Sequence, residues 1–152
     1  MNDMKDTEQL GFNFEASSPV REEPCKLPPL LMKEGFYFIP LGGAEKVGMN
    51  MYAYVSDGRI IVVDAGYDFL NDDFPGMELG LADPSWLENY QDCIEALFIT
   101  HSHEDHFGAI AHIWPKLRCP VYATDFTIGH VIPRLKAVSY THLRAHETGA
   151  YL

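Results

Sequence analysis

Cysteine is scarce. The 152-residue chain has three, Cys25, Cys93 and Cys119, widely spaced and odd in number. With no Cys-x-x-Cys pair, neither a zinc ribbon nor a dithiol redox pair is supported. Cys119 lies in an apolar, strand-like run and reads as a small buried hydrophobe. Long apolar runs are also missing. None reaches the roughly 18 residues that a membrane-spanning helix needs, so no membrane partner is expected. Residues 1–9 are polar and mostly acidic. They lack the basic start and apolar stretch of a secretory signal, and a cytoplasmic location is the expectation. Positive charge is in short supply as well. Lys and Arg total 11 against 22 Asp and Glu, for a formal charge of −11. That argues against a large basic face, so a polyanionic substrate would have to be held by metal ions, by local basic patches or by parts of the protein outside this segment. No internal repeat is visible.

What is present suits one ordinary soluble domain, at 47% hydrophobic and 22% charged residues. Residues 1–34 combine acidic side chains, Ser17-Ser18 and prolines at 24, 28 and 29 without periodicity, and read as a flexible tail. The texture changes at Phe36. Phe36–Leu41 is aromatic and β-prone, and Gly42-Gly43 breaks it. Met49–Val55 reads as a second strand, Asp57-Gly58 as a tight turn, and Arg59–Asp64 as a buried strand ending in a carboxylate. Tyr67–Ser85 is acidic, is broken by Pro75, Gly76, Gly80 and Pro84, and is expected to be a long loop. A short helix follows at Trp86–Asp92, with Ser85 or Asp83 near its cap. Ile94–Thr100 is the clearest buried strand. Phe107, Ile110, Ala111, Trp114 and Leu117 recur at helical spacing, and Pro120–Ala123 resembles a further strand. Strand, turn, helix, strand is a β-α-β unit, so the expected class is α/β.

Between that strand and helix lies His101-Ser102-His103-Glu104-Asp105-His106. In extended backbone, residues two apart point the same way, so His101 and His103 can face one metal ion. Where the chain turns into a helix, Asp105 and His106 can present donors to a second. Paired ions about 3.5–4 Å apart are a recurrent hydrolytic device. The segment also sits past the carboxyl end of a buried strand, where open α/β sheets bind ligands. Chance alone, at this chain's own composition, would produce the pattern on the order of once in a thousand such chains. The competing reading is a His-rich helix cap. Without a metal it would leave four polar groups poorly satisfied beside a buried strand. Asp64 has two readings: a turn-forming residue, or a carboxylate behind the ligands that holds the histidine loop. His112 and His130 stand alone and read as surface or helix-face residues.

The segment resembles the signature His-x-His-x-Asp-His of the metallo-β-lactamase superfamily and, within it, the ribonuclease J family. The supporting residues are Pro40-Leu41-Gly42-Gly43, Gly48-Met49-Asn50-Met51, Val63-Asp64-Ala65-Gly66, Phe98 through Ala109, and Arg118 through Thr124. Lys46 stands where that family usually carries an acidic residue, with Glu45 adjacent. The resemblance implies the N-terminal half of an αββα sandwich over residues 35–137. It implies two divalent ions, zinc first and manganese second, on His101, His103, Asp105 and His106, with Asp105 positioning the attacking hydroxide. It further implies an RNA substrate, 5′-exonuclease and endonuclease activity, and a homo-oligomeric full-length protein. The family draws its remaining metal ligands from later sequence, so this chain by itself is expected to be inactive. A thioester or lactone hydrolase of the same superfamily is the alternative, and a non-catalytic domain the third reading. Val138–Thr148 resembles a translated sequencing adapter. Residues 138–152 are therefore expected to be an artefactual tail, and His142 and His146 are set aside as ligands.

Overall fold

The computed structural model describes residues 25–70, 75–137 and 145–147. Three strands open the fold: β1 (Phe36–Gly42), β2 (Met51–Ser56) and β3 (Arg59–Val63), paired as an antiparallel meander. Asp57 and Gly58 link β2 to β3 with φ of 50° and 72°. Two positive φ values in a two-residue loop match the twist of the strands they join, which is why Asp-Gly marks the turn.

β6 (Ile94–Phe98) then adds in parallel to β3, followed by β7 (Val121–Ala123) and β8 (Ala145–Glu147), also parallel. The sheet order is β1-β2-β3-β6-β7-β8. The helices are α1 (Ser85–Glu88), α2 (Glu104–Phe107), α3 (Ile110–Leu117) and α4 (Asp125–Ala137), with a 3-10 turn at Gln91–Cys93. The β-α-β reading and the α/β class hold. Among the described residues, no helix is long and apolar enough to cross a membrane.

Alternation assigns the faces. Met51, Ala53 and Val55 of β2 and Ile60 and Val62 of β3 are fully buried. They join one cluster with Leu97, with Ile110, Ile113 and Leu117 of α3, and with Val131 and Leu135 of α4. Each large aliphatic side chain buried this way stabilises the fold by roughly 1.5–3 kcal/mol. The opposite face carries Phe36, Phe38, Tyr52, Tyr54 and Ile61. Phe38 packs on Tyr52 and Tyr54 at centroid distances of 5.6 and 5.3 Å, while Phe36 stays 70% exposed.

Three expectations shift. Tyr67–Ser85 is only partly loop, because β4 (Tyr67–Phe69) and β5 (Leu79–Leu81) form a separate two-stranded antiparallel sheet. Three-residue strands are too short to give a periodic signal. The helix expected from Phe107 is interrupted. A Cβ on Gly108 would overlap the Glu104 carbonyl and the Tyr67 ring, and the Ala109 N–H donates to the Ala65 carbonyl at 2.9 Å instead of continuing α2. The tail boundary moves inward, since Leu27 and Leu31 are buried in the core. Residues 1–24 lie outside the described residues. In the segment expected to be foreign, the backbone of Ala145–Glu147 pairs with β7, while 138–144 and 148–152 lie outside the described residues. Cys119 is buried as expected, and burial pushes its thiol up to about 12.

Candidate metal centre

β3 and β6 run parallel, so their carboxyl ends lie side by side. Just past β3, Asp64 adopts φ of 64°, a left-handed conformation that short polar side chains tolerate. The residue is 2% exposed. Asp64 accepts from the Thr100 backbone N–H at 2.8 Å and from the Thr100 hydroxyl at 2.9 and 3.0 Å. Its Oδ2 also lies 2.8 Å from His106 Nδ1. One buried carboxylate thus ties the end of β3 to the first and last parts of the histidine segment.

The backbone closes the same knot. The Ala65 N–H donates to the His106 carbonyl at 2.7 Å, and the Asn50 N–H to the Asp105 carbonyl at 3.0 Å. Gly66 faces the Asp105 backbone so closely that any Cβ there would overlap its carbonyl. Only glycine allows this approach, which brings α2 down against the strand ends.

His101, His103 and His106 come together on this platform. The His101 ring lies 4.6 Å from His103 and 4.1 Å from His106, centroid to centroid. Asp105 Oδ2 is 3.4 Å from His106 Nε2. Among the described residues, no group of three or more His, Cys, Asp or Glu side chains is closed around a single ion-sized point. The geometry explains this. The rings are tilted or edge-on to one another, and Asn50 Nδ2 lies 3.2 Å from both Asp105 Oδ2 and His106 Nε2. Three imidazoles and a carboxylate beside each other are nonetheless the donor chemistry that zinc or manganese takes.

Two residues in this knot carried no role in the sequence reading. Thr100 shares Asp64 between both histidine contacts. Asn50 reaches Asp105 and His106 from the start of β2. Its orientation follows from the network: Tyr52 donates its phenol to Asn50 Oδ1 at 2.8 Å, which leaves the amide N–H groups for Asp105 and His106. Only the glycine-to-Asn50 segment hinted at it.

A third element braces α2 from behind. The Arg134 guanidinium of α4 pairs with Glu104, donates to the Gly108 carbonyl at 3.2 Å, and lies 5.1 Å from the Phe107 ring centroid. The Tyr67 hydroxyl is raised above its ordinary value, mainly by desolvation and then by the Glu104 carboxylate, so it stays a neutral donor there. Lys46, at the position where an acidic residue was expected from the resemblance, pairs with Asp68 at 2.7 Å. His112 and His130 are exposed, and His130 Nδ1 contacts the Phe126 carbonyl at 2.9 Å.

The family model described as Metallo-beta-lactamase superfamily matches residues 46–149. The chain is 43% identical over 100 residues to ribonuclease J of Sinorhizobium meliloti, covering 63% of this chain and 18% of that protein. It is 43% identical over 106 residues to ribonuclease J of Mycolicibacterium smegmatis, covering 68% and 19%. For ribonuclease J of Helicobacter pylori the figures are 37% over 124 residues, 80% and 18%. The chain spans about a fifth of the length of these curated relatives.

Proposed function

The chain belongs to the metallo-beta-lactamase superfamily, and from that premise we propose that it supplies the front part of the metal centre of an RNA-cleaving hydrolase. The observation that carries this reading is the meeting of His101, His103 and His106 over the buried Asp64 carboxylate, with Asp105 alongside. Membership of a metal-dependent superfamily supports divalent-metal binding, and similarity to ribonucleases J supports RNA as the substrate class.

In this reading His101 and His103 hold one ion, and Asp105 and His106 hold the other. Imidazole predominance favours zinc, with manganese second because of the carboxylate. Divalent ions in such a site supply Lewis acidity toward phosphoryl oxygen and make water nucleophilic near neutral pH. The chain's own residues orient. Asp64 accepts from His106 Nδ1, which leaves Nε2 bare for coordination. Asp105 is the catalytic carboxylate, placed to orient the attacking oxygen. Gly66 and Asn50 press the Asp105 backbone against the sheet. The net charge of −11 makes metal-held phosphate contacts the main cationic feature this segment offers a polyanion. A cytoplasmic, homo-oligomeric full-length protein belongs to the same reading and is checked by fractionation and light scattering. Residues 138–152 are read as foreign to it.

The test compares the full-length protein with its His103→Ala and Asp105→Ala variants. Metal content and cleavage of 5′-monophosphorylated RNA are measured, alongside a panel of lactones and thioesters. Loss of metal and of RNA cleavage in both variants is the expected result. Turnover of the lactone or thioester panel with RNA untouched would replace this reading with the alternative hydrolase. Unchanged metal content and cleavage in both variants would remove the assignment.

A further inference from the structure

We propose that Thr100 is a positioning residue that sets the tautomer of His101, extending the influence of Asp64 to a second imidazole that Asp64 itself does not touch. The inference rests on the metal-centre reading above and follows from counting protons around one hydroxyl.

Thr100 Oγ1 has four polar neighbours. It lies 2.9 Å from Asp64 Oδ1, 3.0 Å from Asp64 Oδ2, 3.0 Å from His101 Nδ1 and 3.5 Å from His106 Nδ1. A hydroxyl has one proton to give and two lone pairs to receive with. An ionised carboxylate only accepts. If Thr100 gives its proton to Asp64, every close contact is filled: the hydroxyl donates to the carboxylate, and His101 Nδ1–H donates to the hydroxyl. If Thr100 gives its proton to His101 instead, its oxygen faces both Asp64 oxygens at 2.9–3.0 Å with no proton between them. The first arrangement therefore prevails. It leaves His101 with hydrogen on Nδ1 and a bare Nε2.

His106 reaches the same state directly. Its Nδ1 faces Asp64 Oδ2 at 2.8 Å and must carry the proton, so its Nε2 is bare as well. Histidine ligands commonly have their tautomer fixed by a carboxylate or carbonyl on the other ring nitrogen, and losing that partner costs roughly 10–100-fold in metal affinity. Here one buried carboxylate serves two rings, one directly and one through a threonine hydroxyl. The Thr100 backbone N–H, at 2.8 Å from Asp64 Oδ1, fixes the hydroxyl's position.

The test uses the full-length protein as wild type, Thr100→Val and Thr100→Ser. Valine keeps the branched shape and removes the hydroxyl, while serine restores it. Histidine tautomers are read in the metal-free protein by long-range proton–nitrogen correlation at mildly alkaline pH, where imidazoles are neutral. Zinc affinity is read by chelator competition. Wild type should show Nδ1–H on both His101 and His106. Thr100→Val should change the His101 pattern alone and weaken zinc about 10-fold, and Thr100→Ser should restore both. Nδ1 bare on His101 in the wild type overturns the proposal, and that spectrum decides even if the valine variant does not fold. A folded Thr100→Val protein with an unchanged His101 tautomer overturns it too. Wild type that binds no zinc counts against the proposed function, while the metal-free spectra still judge Thr100 separately.

Discussion

Replacing Asp64 by Asn changes one atom's chemistry at the centre of the knot and should rewrite one histidine. Asn keeps the size of Asp and tolerates the φ of 64°. The Thr100 backbone N–H, 2.8 Å from Oδ1, can only donate, so the Asn carbonyl oxygen must stay on that side. The amide NH2 then takes the place of Oδ2 and points at His106 Nδ1, 2.8 Å away. Two N–H groups cannot share that contact. His106 must expose a lone pair at Nδ1 and move its proton to Nε2, the nitrogen a metal would need. Loss of this kind of ligand support costs about 10–100-fold in affinity, equivalent to roughly 1.4–2.7 kcal/mol. Thr100 can still donate to the retained carbonyl, so His101 should keep its tautomer. Folding should lose only about 1–2 kcal/mol, the scale of weakening one charge-assisted hydrogen bond. Zinc competition, long-range nitrogen spectra and urea unfolding on the full-length protein measure all three quantities. A folded Asp64→Asn variant with His106 unchanged and zinc affinity within about twofold of wild type would refute the reasoning.

Gly66→Ala should destabilise by at least about 1–3 kcal/mol, because its Cβ has no room beside the Asp105 carbonyl. The check is a lower urea midpoint with an unchanged slope. Cys119, whose thiol burial pushes up to about 12 from 9.0, stays protonated in the folded state while the unfolded thiol ionises. Its contribution to stability is therefore full below pH 9 and should fall by about 1.4 kcal/mol per pH unit above it, up to about pH 12. Cys119→Ala should flatten that slope in pH-dependent unfolding, and an identical slope in the variant would contradict the assignment. The aromatic face should drive association of the 152-residue chain, so Phe36→Lys with Phe38→Lys should lower light scattering at equal concentration. The same 152-residue chain should cleave no RNA. Among the described residues, the three candidate histidines and one aspartate fall short of the roughly three protein ligands each catalytic zinc takes, and metal-dependent turnover by this chain would refute that count.

The candidate ligands were legible because their signal is local: three histidines and an aspartate within six residues, after an apolar strand. Asp64 was legible as a carboxylate ending a buried strand, but its partners were not. Thr100 and His106 lie 36 and 42 residues away, and Asn50 lies 55 residues before Asp105. Only strand register connects them. β3 and β6 pair Ile60 with Ile94 and then Ile61 with Ala96, passing over Glu95. That one-residue irregularity sets Val63 opposite Phe98 and lets the Asp64 N–H reach the Phe98 carbonyl at 2.8 Å. Without it Val63 would face Leu97, and Asp64 would sit one residue short of the Thr100 N–H it now accepts from. Bulges commonly re-aim side chains beside functional sites. Nothing in Arg59–Val63 or Ile94–Phe98 marks where this one falls, since each run is mostly apolar and carries only one charged residue, Arg59 or Glu95. The identity of the metal-facing residues is thus encoded locally, while their orientation depends on a single skipped residue between two strands that the sequence specifies only through the packing of both faces.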